Sequence, residues 1–458
     1  MGTTAATTRS VSGQRAWRSP DHLQRLAQAR ARTDELFGIV RPEAMYDRPI
    51  RERHRIIFYI GHLEAFDWNL LGRHFGLPAF DAAYDELFAF GIDPVGGGLP
   101  ADVAEDWPAR VQVEAYCRRL RDALDDRLAA SLGAAAGDGG ETARLVEVAI
   151  EHRLMHAETL AYMLHQLAID RKIPQQDAPL RAPAPAAPRM LQIPAGVATL
   201  GLRRSEDGPF GWDNEFEEHR VAVPEFQIDA YKVSNGDFLD FVSGGGYEQR
   251  ALWKDADWNW VQSSGTSRPA FWIERDGQIF LRTMFDEIPL PMDWPVYVSQ
   301  AEAAAYARWV GKELPSEAEW HRAAYGTAGE AERAFPWGDQ APDANRGNFD
   351  FLRWDPAPVT AFAAGASAFG AGGMLGNGWE WTRTIFAPFP GFEPFAFYPG
   401  YSANFFDGQH FVMKGASART AACFLRRSFR NWFQPHYPFV YAGFRCVQPE
   451  ADSDCSVK

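Results

Sequence analysis

Between Lys172 and Met190 the chain reads KIPQQDAPLRAPAPAAPRM. Proline fixes φ and carries no amide donor, so a stretch this rich in it neither continues a helix nor joins a sheet. It is expected to be an extended linker over 173–190, and it forces two separately packed units on a chain of 458 residues. That length comfortably supports two cores. The flanks differ in character. Residues 20–172 are rich in Ala, Leu, Arg and Glu, with apolar positions recurring at helical spacing. Helices are expected from His22 to Ile39, Ile50 to Phe75, Val111 to Leu132 and Thr142 to Ile169. Four helices of these lengths predict an antiparallel bundle. Over 191–450 Trp, Phe, Gly and Pro become dense, strands look short and turns frequent. One clear helix is expected from about Ser299 to Val310 and another near Glu317 to Tyr325. The expected fold class is therefore multidomain, an all-α bundle followed by an irregular α+β domain.

The formal net charge is -14. Phosphate binding needs a basic face, so nucleic acid is not an expected partner. Charge or glycine interrupts the apolar runs, and no stretch reads as a membrane span. The opening MGTTAATTRSVSGQRAW lacks the apolar stretch of a secretory signal, which leads to a cytoplasmic expectation. Cys117, Cys423, Cys446 and Cys455 form no CxxC pair and are expected to be reduced and structural. Together these features fit an enzyme acting on small molecules.

The most informative local pattern is EHRLMHAETL, which places His152 and His156 four residues apart. On a helix they share a face one turn apart, so both imidazoles can reach one metal ion. His165 lies nine residues further on, about 900° of helical rotation, and points away. His62, in GHLEAFDWN on another expected bundle helix, is the best third ligand, because bundle cores hold metals through side chains on facing helices. Three imidazoles suit Fe(II), Zn(II), Cu(II) or Ni(II) alike.

The segments IPAGVATLGL, FGWDNEFEEHRVAV, YKVSNGDFLDFVSGGGY, WPVYVSQAEAAAYARWVGKELPSEAEWHRAA, FPWGD, GNGWEWT and YAGFRCV run in order from Leu191 to Val447. They resemble the formylglycine-generating-enzyme domain, which implies a variant C-type-lectin-like fold and, as in relatives, a structural Ca²⁺. The bundle with GHLEAFDWN and EHRLMHAET resembles the DinB-like domain of the ergothioneine and ovothiol sulfoxide synthases. Both domains in this order match that family over nearly the whole chain. The resemblance implies one non-haem Fe(II) on His62, His152 and His156. It further implies oxidative attachment of a sulfur or selenium nucleophile to imidazole C2 of hercynine, with O2 as oxidant, at the junction of the domains. A tyrosine near the metal assists in this family, and FAFYPGYSANFF makes Tyr398 and Tyr401 the catalytic candidates.

Substrate positions carry over in the same way. FRNW matches the hercynine-contacting segment, with Asn431 to hydrogen-bond a carboxylate and Trp432 to offer a face to a quaternary ammonium. Met155 stands where ergothioneine-type enzymes can carry a polar residue. Relatives that use γ-glutamylcysteine have an Asp and an Arg where this chain has Phe433 and Tyr437. They also place arginines in the loop after the first metal histidine, whereas FAFGIDPVGGGLP, from Phe88 to Pro100, contains no basic residue. The donor side is therefore expected to be aromatic and neutral, because unpaired carboxylates are costly to bury. This favours a selenosugar and the selenoneine-synthase branch, with a cysteine-derived thiol as the alternative donor. A copper formylglycine-generating enzyme would need a close cysteine pair, which the separation of Cys423 and Cys446 does not offer. A non-catalytic display module would leave the three histidines unexplained.

Overall fold

A computed structural model describes residues 22–89, 99–133, 139–177, 180, 189–205, 208–329 and 331–448. Five α-helices occupy the first part: α1 His22–Gly38, α2 Ile56–Asp67, α3 Ala82–Leu87, α4 Arg110–Gly133 and α5 Gly139–Gln166. The sequence IIFYIGHLEAFD of α2 is apolar on nearly every side, and ten of its residues are buried, so α2 is the central helix rather than an amphipathic outer one. It packs on α4 and α5, while α1 lies along α5. The expected helix beginning at Ile50 starts instead at Ile56, since Arg55 is extended, and it continues into a π-helical turn over Trp68–Gly72. The unanticipated α3 is a short helix whose N-cap Asp81 accepts from the Tyr84 amide. Residues 178–179 and 181–188 of the expected linker lie outside the described residues.

The second part contains α6 Asn235–Ser243, α7 Asp255–Ser264, α8 Gln300–Trp309 and α9 Glu317–Tyr325. Its strands are β1 Met190–Ile193, β2 Gly196–Leu200, β3 His219–Val223, β4 Phe226–Asp229, β5 Trp272–Arg275, β6 Gln278–Arg282, β7 Glu287–Pro289, β8 Gly378–Ile385, β9 Phe411–Ala416, β10 Asn431–Phe433 and β11 Ala442–Gly443. The largest sheet runs β10-β9-β8-β11, with β11 parallel to β8. Helices α6, α8 and α9 each begin with a capping box, built on Ser234 with Asp237, Ser299 with Glu302 and Ser316 with Glu319. Helices α6 and α7 are not among the expected elements; in their dense aromatic and glycine context the 3.6-residue period does not stand out. The central strand β8 buries Trp379 and Trp381 together with Glu380, which Arg445 neutralises at 2.7 Å. No helix among the described residues is long and apolar enough to cross a membrane.

The two parts meet along α5. Arg426 binds Glu151 at 2.7 Å and Glu215 at 2.6 Å, and the Trp212 indole donates to Glu151 at 2.8 Å. Glu158 accepts from Trp379 at 2.7 Å, Ser417 at 2.5 Å and Thr420 at 2.8 Å. The helix that carries two of the histidines is thus also the helix that docks the second domain.

Candidate metal centre at the domain junction

His62, on α2, and His152 and His156, on α5, are all buried and bring one ring nitrogen each within 4.8 Å of the others. Ring centroids stand 4.5 Å apart for His152 and His156, 5.0 Å for His62 and His156, and 5.5 Å for His62 and His152. His62 Nδ1 lies 2.8 Å from the Phe88 carbonyl oxygen, to which it donates. This selects the tautomer in which Nε2 carries the lone pair, and that buried atom has no protein partner. Nδ1 of His152 and of His156 is likewise buried without a partner. Burial lowers the pKa of His62 to about 4 and holds His152 and His156 well below their ordinary value. All three rings are therefore neutral at pH 7. Buried, neutral, convergent and partnerless imidazoles are what a divalent transition metal requires. Among the described residues this is the one such cluster of His, Cys, Asp or Glu side chains, and it offers no carboxylate set for Ca²⁺.

The register between α2 and α5 is held by charge. Arg153, next to His152 and fully buried, donates to Glu64 at 2.9 Å, Asp67 at 2.7 Å and the Leu63 carbonyl at 3.0 Å. These acceptors flank His62, so one guanidinium sets the spacing of the imidazoles across the helix pair. Phe66 stacks on His152 at 3.4 Å, and Phe58 stacks on His62 at 4.9 Å, closing two sides of the cluster with apolar faces. His165 is buried elsewhere, with Nδ1 at 3.1 Å from the Tyr441 hydroxyl and Nε2 at 2.8 Å from the Arg282 carbonyl oxygen. It is not part of the cluster.

The two tyrosines differ. Tyr398 is half-buried, with its ring 6.4 Å from His152 and 5.7 Å from Phe66. Tyr401 is buried, stacks on Trp212 at 4.0 Å and directs its hydroxyl to the Met155 sulfur at 3.3 Å. Met155 is thereby engaged with the second domain. Asn431 accepts from the Trp432 amide at 2.9 Å, which leaves its own amide group to donate. Trp432 lies edge-on to Tyr401 at 5.5 Å, but one of its faces is covered by Phe386 at 4.2 Å and is closed to a ligand.

The surroundings of Phe433 and Tyr437 are aromatic but carry a cation not expected from the sequence. Phe433 and Tyr437 do stack at 5.3 Å. However, Nε of Arg53 donates to the Tyr437 hydroxyl at 3.1 Å and Nη2 donates to the Tyr162 hydroxyl at 3.0 Å. The cation arrives from a segment 384 positions away, and no local motif announces it. Most of the Phe88 to Pro100 loop, residues 90–98, lies outside the described residues. Cys117, Cys423 and Cys446 are free thiols; Cys455 lies outside the described residues.

Comparison with known proteins matches residues 175–450 to the sulfatase-modifying factor enzyme 1-like domain and residues 25–160 to the DinB superfamily. A hercynine oxygenase of Mycobacterium tuberculosis is 36% identical over 446 residues, covering 93% of this chain and 98% of its own. A hercynine oxygenase of Mycolicibacterium thermoresistibile is 44% identical over 248 residues, covering 52% of this chain and 54% of its own. The ergothioneine biosynthesis protein 1 of Neurospora crassa is 29% identical, covering 89% of this chain and 55% of its own.

Proposed function

The chain belongs to the two-domain family, DinB bundle followed by sulfatase-modifying-factor-like domain, that includes the hercynine oxygenases, and from that premise we propose that it is an O2-dependent, non-haem Fe(II) enzyme joining a chalcogen donor to imidazole C2 of hercynine. The observation that carries this reading is the triad itself: three neutral, buried imidazoles with partnerless nitrogens, facing the junction with the second domain. Bound Fe(II) supplies the redox chemistry that couples O2 to bond formation. The protein's part is placement. His62, His152 and His156 hold the metal. Asn431 donates to the hercynine carboxylate, and Trp432 and its aromatic neighbours border the trimethylammonium. Tyr398, whose ring stands 6.4 Å from that of His152, is the proton donor of choice. Fixing both reactants beside the metal removes much of the entropic barrier.

For the donor we propose a selenosugar, giving selenoneine-type C–Se chemistry, because the aromatic pair Phe433 and Tyr437 suits the apolar face of a sugar ring. A cysteine-derived thiol, giving an ergothioneine-type sulfoxide, is the second reading. Arg53 favours it, since a buried guanidinium is a natural partner for a carboxylate. The deciding experiment is an aerobic assay of the Fe(II)-loaded protein with hercynine, presenting a 1-selenosugar, γ-glutamylcysteine and cysteine in parallel, with products read by mass spectrometry. A selenium adduct from the selenosugar alone supports the first reading, and turnover of a thiol alone replaces it with the second. No adduct from any donor would remove the proposed function altogether.

A further inference from the structure

Segment 395–402, which carries both Tyr398 and Tyr401, is neither helix nor strand. Two consecutive turns shape it: the Tyr398 amide donates to the Phe395 carbonyl at 3.0 Å and the Tyr401 amide to the Tyr398 carbonyl at 3.2 Å. These local bonds bend the segment but do not place it against the rest of the molecule. Its placement comes from Trp212 and the short 3-10 turn Asp213–Glu215 that follows, all of them buried. The Trp212 ring stacks on Tyr401 at 4.0 Å and lies 6.4 Å from the Phe395 ring. Asp213 Oδ1 accepts from the Ser402 hydroxyl at 2.5 Å. Both ends of the tyrosine segment thus rest on two adjacent residues nearly two hundred positions away in the chain.

The same turn is fastened to the helix that carries two of the histidines. The Trp212 indole donates to Glu151 at 2.8 Å, and Arg426 bridges Glu151 and Glu215 at 2.7 and 2.6 Å. Glu151 immediately precedes His152 on α5. Asp213 differs from Glu215, two residues on. Glu215 has a guanidinium, whereas Asp213 makes no ion pair among the described residues, and its one side-chain partner is the Ser402 hydroxyl. Burial raises the Asp213 pKa, opposed by that hydroxyl and by the amides of Asn214 and Phe395. A carboxylate buried without a cation is costly, and two of the groups that offset the cost here, Ser402 and the Phe395 amide, belong to the tyrosine segment. The Tyr398 ring at the middle of that segment stands 6.4 Å from His152 and 5.7 Å from Tyr401. Misplacing a reacting group by about 1 Å can cost about 100-fold in rate, so a segment without regular structure needs such an anchor.

We propose that Trp212, Asp213 and Ser402 are positioning residues that hold Tyr398 at the metal cluster, by tying the tyrosine segment to the helix of His152 and His156. This rests on the reading of Tyr398 as the proton donor of a chalcogen-transfer centre. The three residues act through Tyr398 rather than on the metal or the substrates, so their loss slows turnover while metal and hercynine still bind.

The test uses the full-length Fe(II)-loaded protein. Ser402→Ala is expected to lower kcat about tenfold or more, with iron content unchanged and the hercynine KM within about twofold of the wild type. Asp213→Asn, which keeps an acceptor for the Ser402 hydroxyl, is expected to lose much less than Asp213→Ala. In a Tyr398→Phe background Ser402→Ala is expected to lower kcat by less than about twofold further, because its effect passes through a hydroxyl already removed. A second readout needs no turnover. With 3-fluorotyrosine introduced at position 398, the fluorine resonance is expected to be shifted by the paramagnetic Fe(II), and Ser402→Ala to shrink that shift. Should Ser402→Ala fail to fold, Trp212→Phe serves, since it keeps a ring on Tyr401 and loses the donor to Glu151; the same pattern is expected. Unchanged kcat, an undiminished loss in the Tyr398→Phe background, or an unchanged metal-induced shift would overturn the proposal. A protein whose fluorine shift responds as expected but which makes no adduct from any donor would sink the chalcogen-transfer reading and leave the positioning of Tyr398 standing.

Discussion

At the scale of single residues, the centre works through what its side chains lack. His62 spends Nδ1 on the Phe88 carbonyl and keeps Nε2 free, a tautomer chosen by a backbone oxygen on the far side of the ring. Removing one imidazole leaves two ligands, too few for tight capture. His156→Ala is expected to lower Fe(II) content at saturation from about one per chain to near zero, with weakening of metal affinity beyond about 100-fold. Metal analysis after gel filtration checks this, and stoichiometric iron in the variant would exclude His156 as a ligand. All three histidines are legible in the sequence, two through the HxxxH spacing and the third through GHLEAFDWN. Arg53 is not legible there, because no periodicity relates a turn residue ahead of α2 to Tyr437 at the far end of the chain.

At the scale of elements, α2 and α5 form a pair whose register matters more than its area. Arg153 bridges Glu64 and Asp67 across it with no exposure of its own. Arg153→Leu leaves buried Asp67 without its cation and Glu64 with Arg121 alone, and is expected to destabilise the bundle by about 3–5 kcal/mol. Urea unfolding of the metal-free protein measures this; a loss below about 1 kcal/mol would mean that Arg121, which also binds Glu64 at 2.7 Å, suffices. Helices α4, α5, α8 and α9 lie close to where the sequence places them, since long periodic segments and Ser-x-x-Glu caps are local signals. The start of α2 lies later than its apolar pattern suggests, because Ile50 sits in a turn rather than on the helix face. Helices α6 and α7 escape the same reasoning because their domain buries aromatics from every direction, which blurs the helical period.

At the scale of the whole molecule, α5 fastens one domain to the other, and His165 marks the far end of the seam. Burial, reinforced by the positive charges of Lys172 and Arg282, lowers its pKa to about 3 from an ordinary value of 6.5. A depressed folded-state pKa means that protons bind the unfolded chain more readily. The stabilisation by neutral His165 is thus complete above pH 6.5 and declines as the pH falls towards 3. Between pH 6.5 and 5, ahead of most carboxylates, this group contributes a slope approaching about 1.4 kcal/mol per pH unit. Comparing urea unfolding of the wild type with His165→Gln across that window should show the slope fall by about 1.4 kcal/mol per pH unit in the variant, the remainder belonging to groups such as His62, His152 and His156; parallel curves would assign none of it to His165. The domain pair, the proline-rich break, the helix-borne HxxxH pair and the acidic balance were decided by the sequence alone, because composition, proline chemistry and helical periodicity are local properties. The closure of three imidazoles to within 4.8 Å, the separation of Tyr398 from Tyr401 and the arrival of Arg53 behind Tyr437 were decided only by tertiary structure. Each depends on which surfaces of the two units are pressed together, and that is set by packing and buried charge across hundreds of residues rather than by any pattern along the chain.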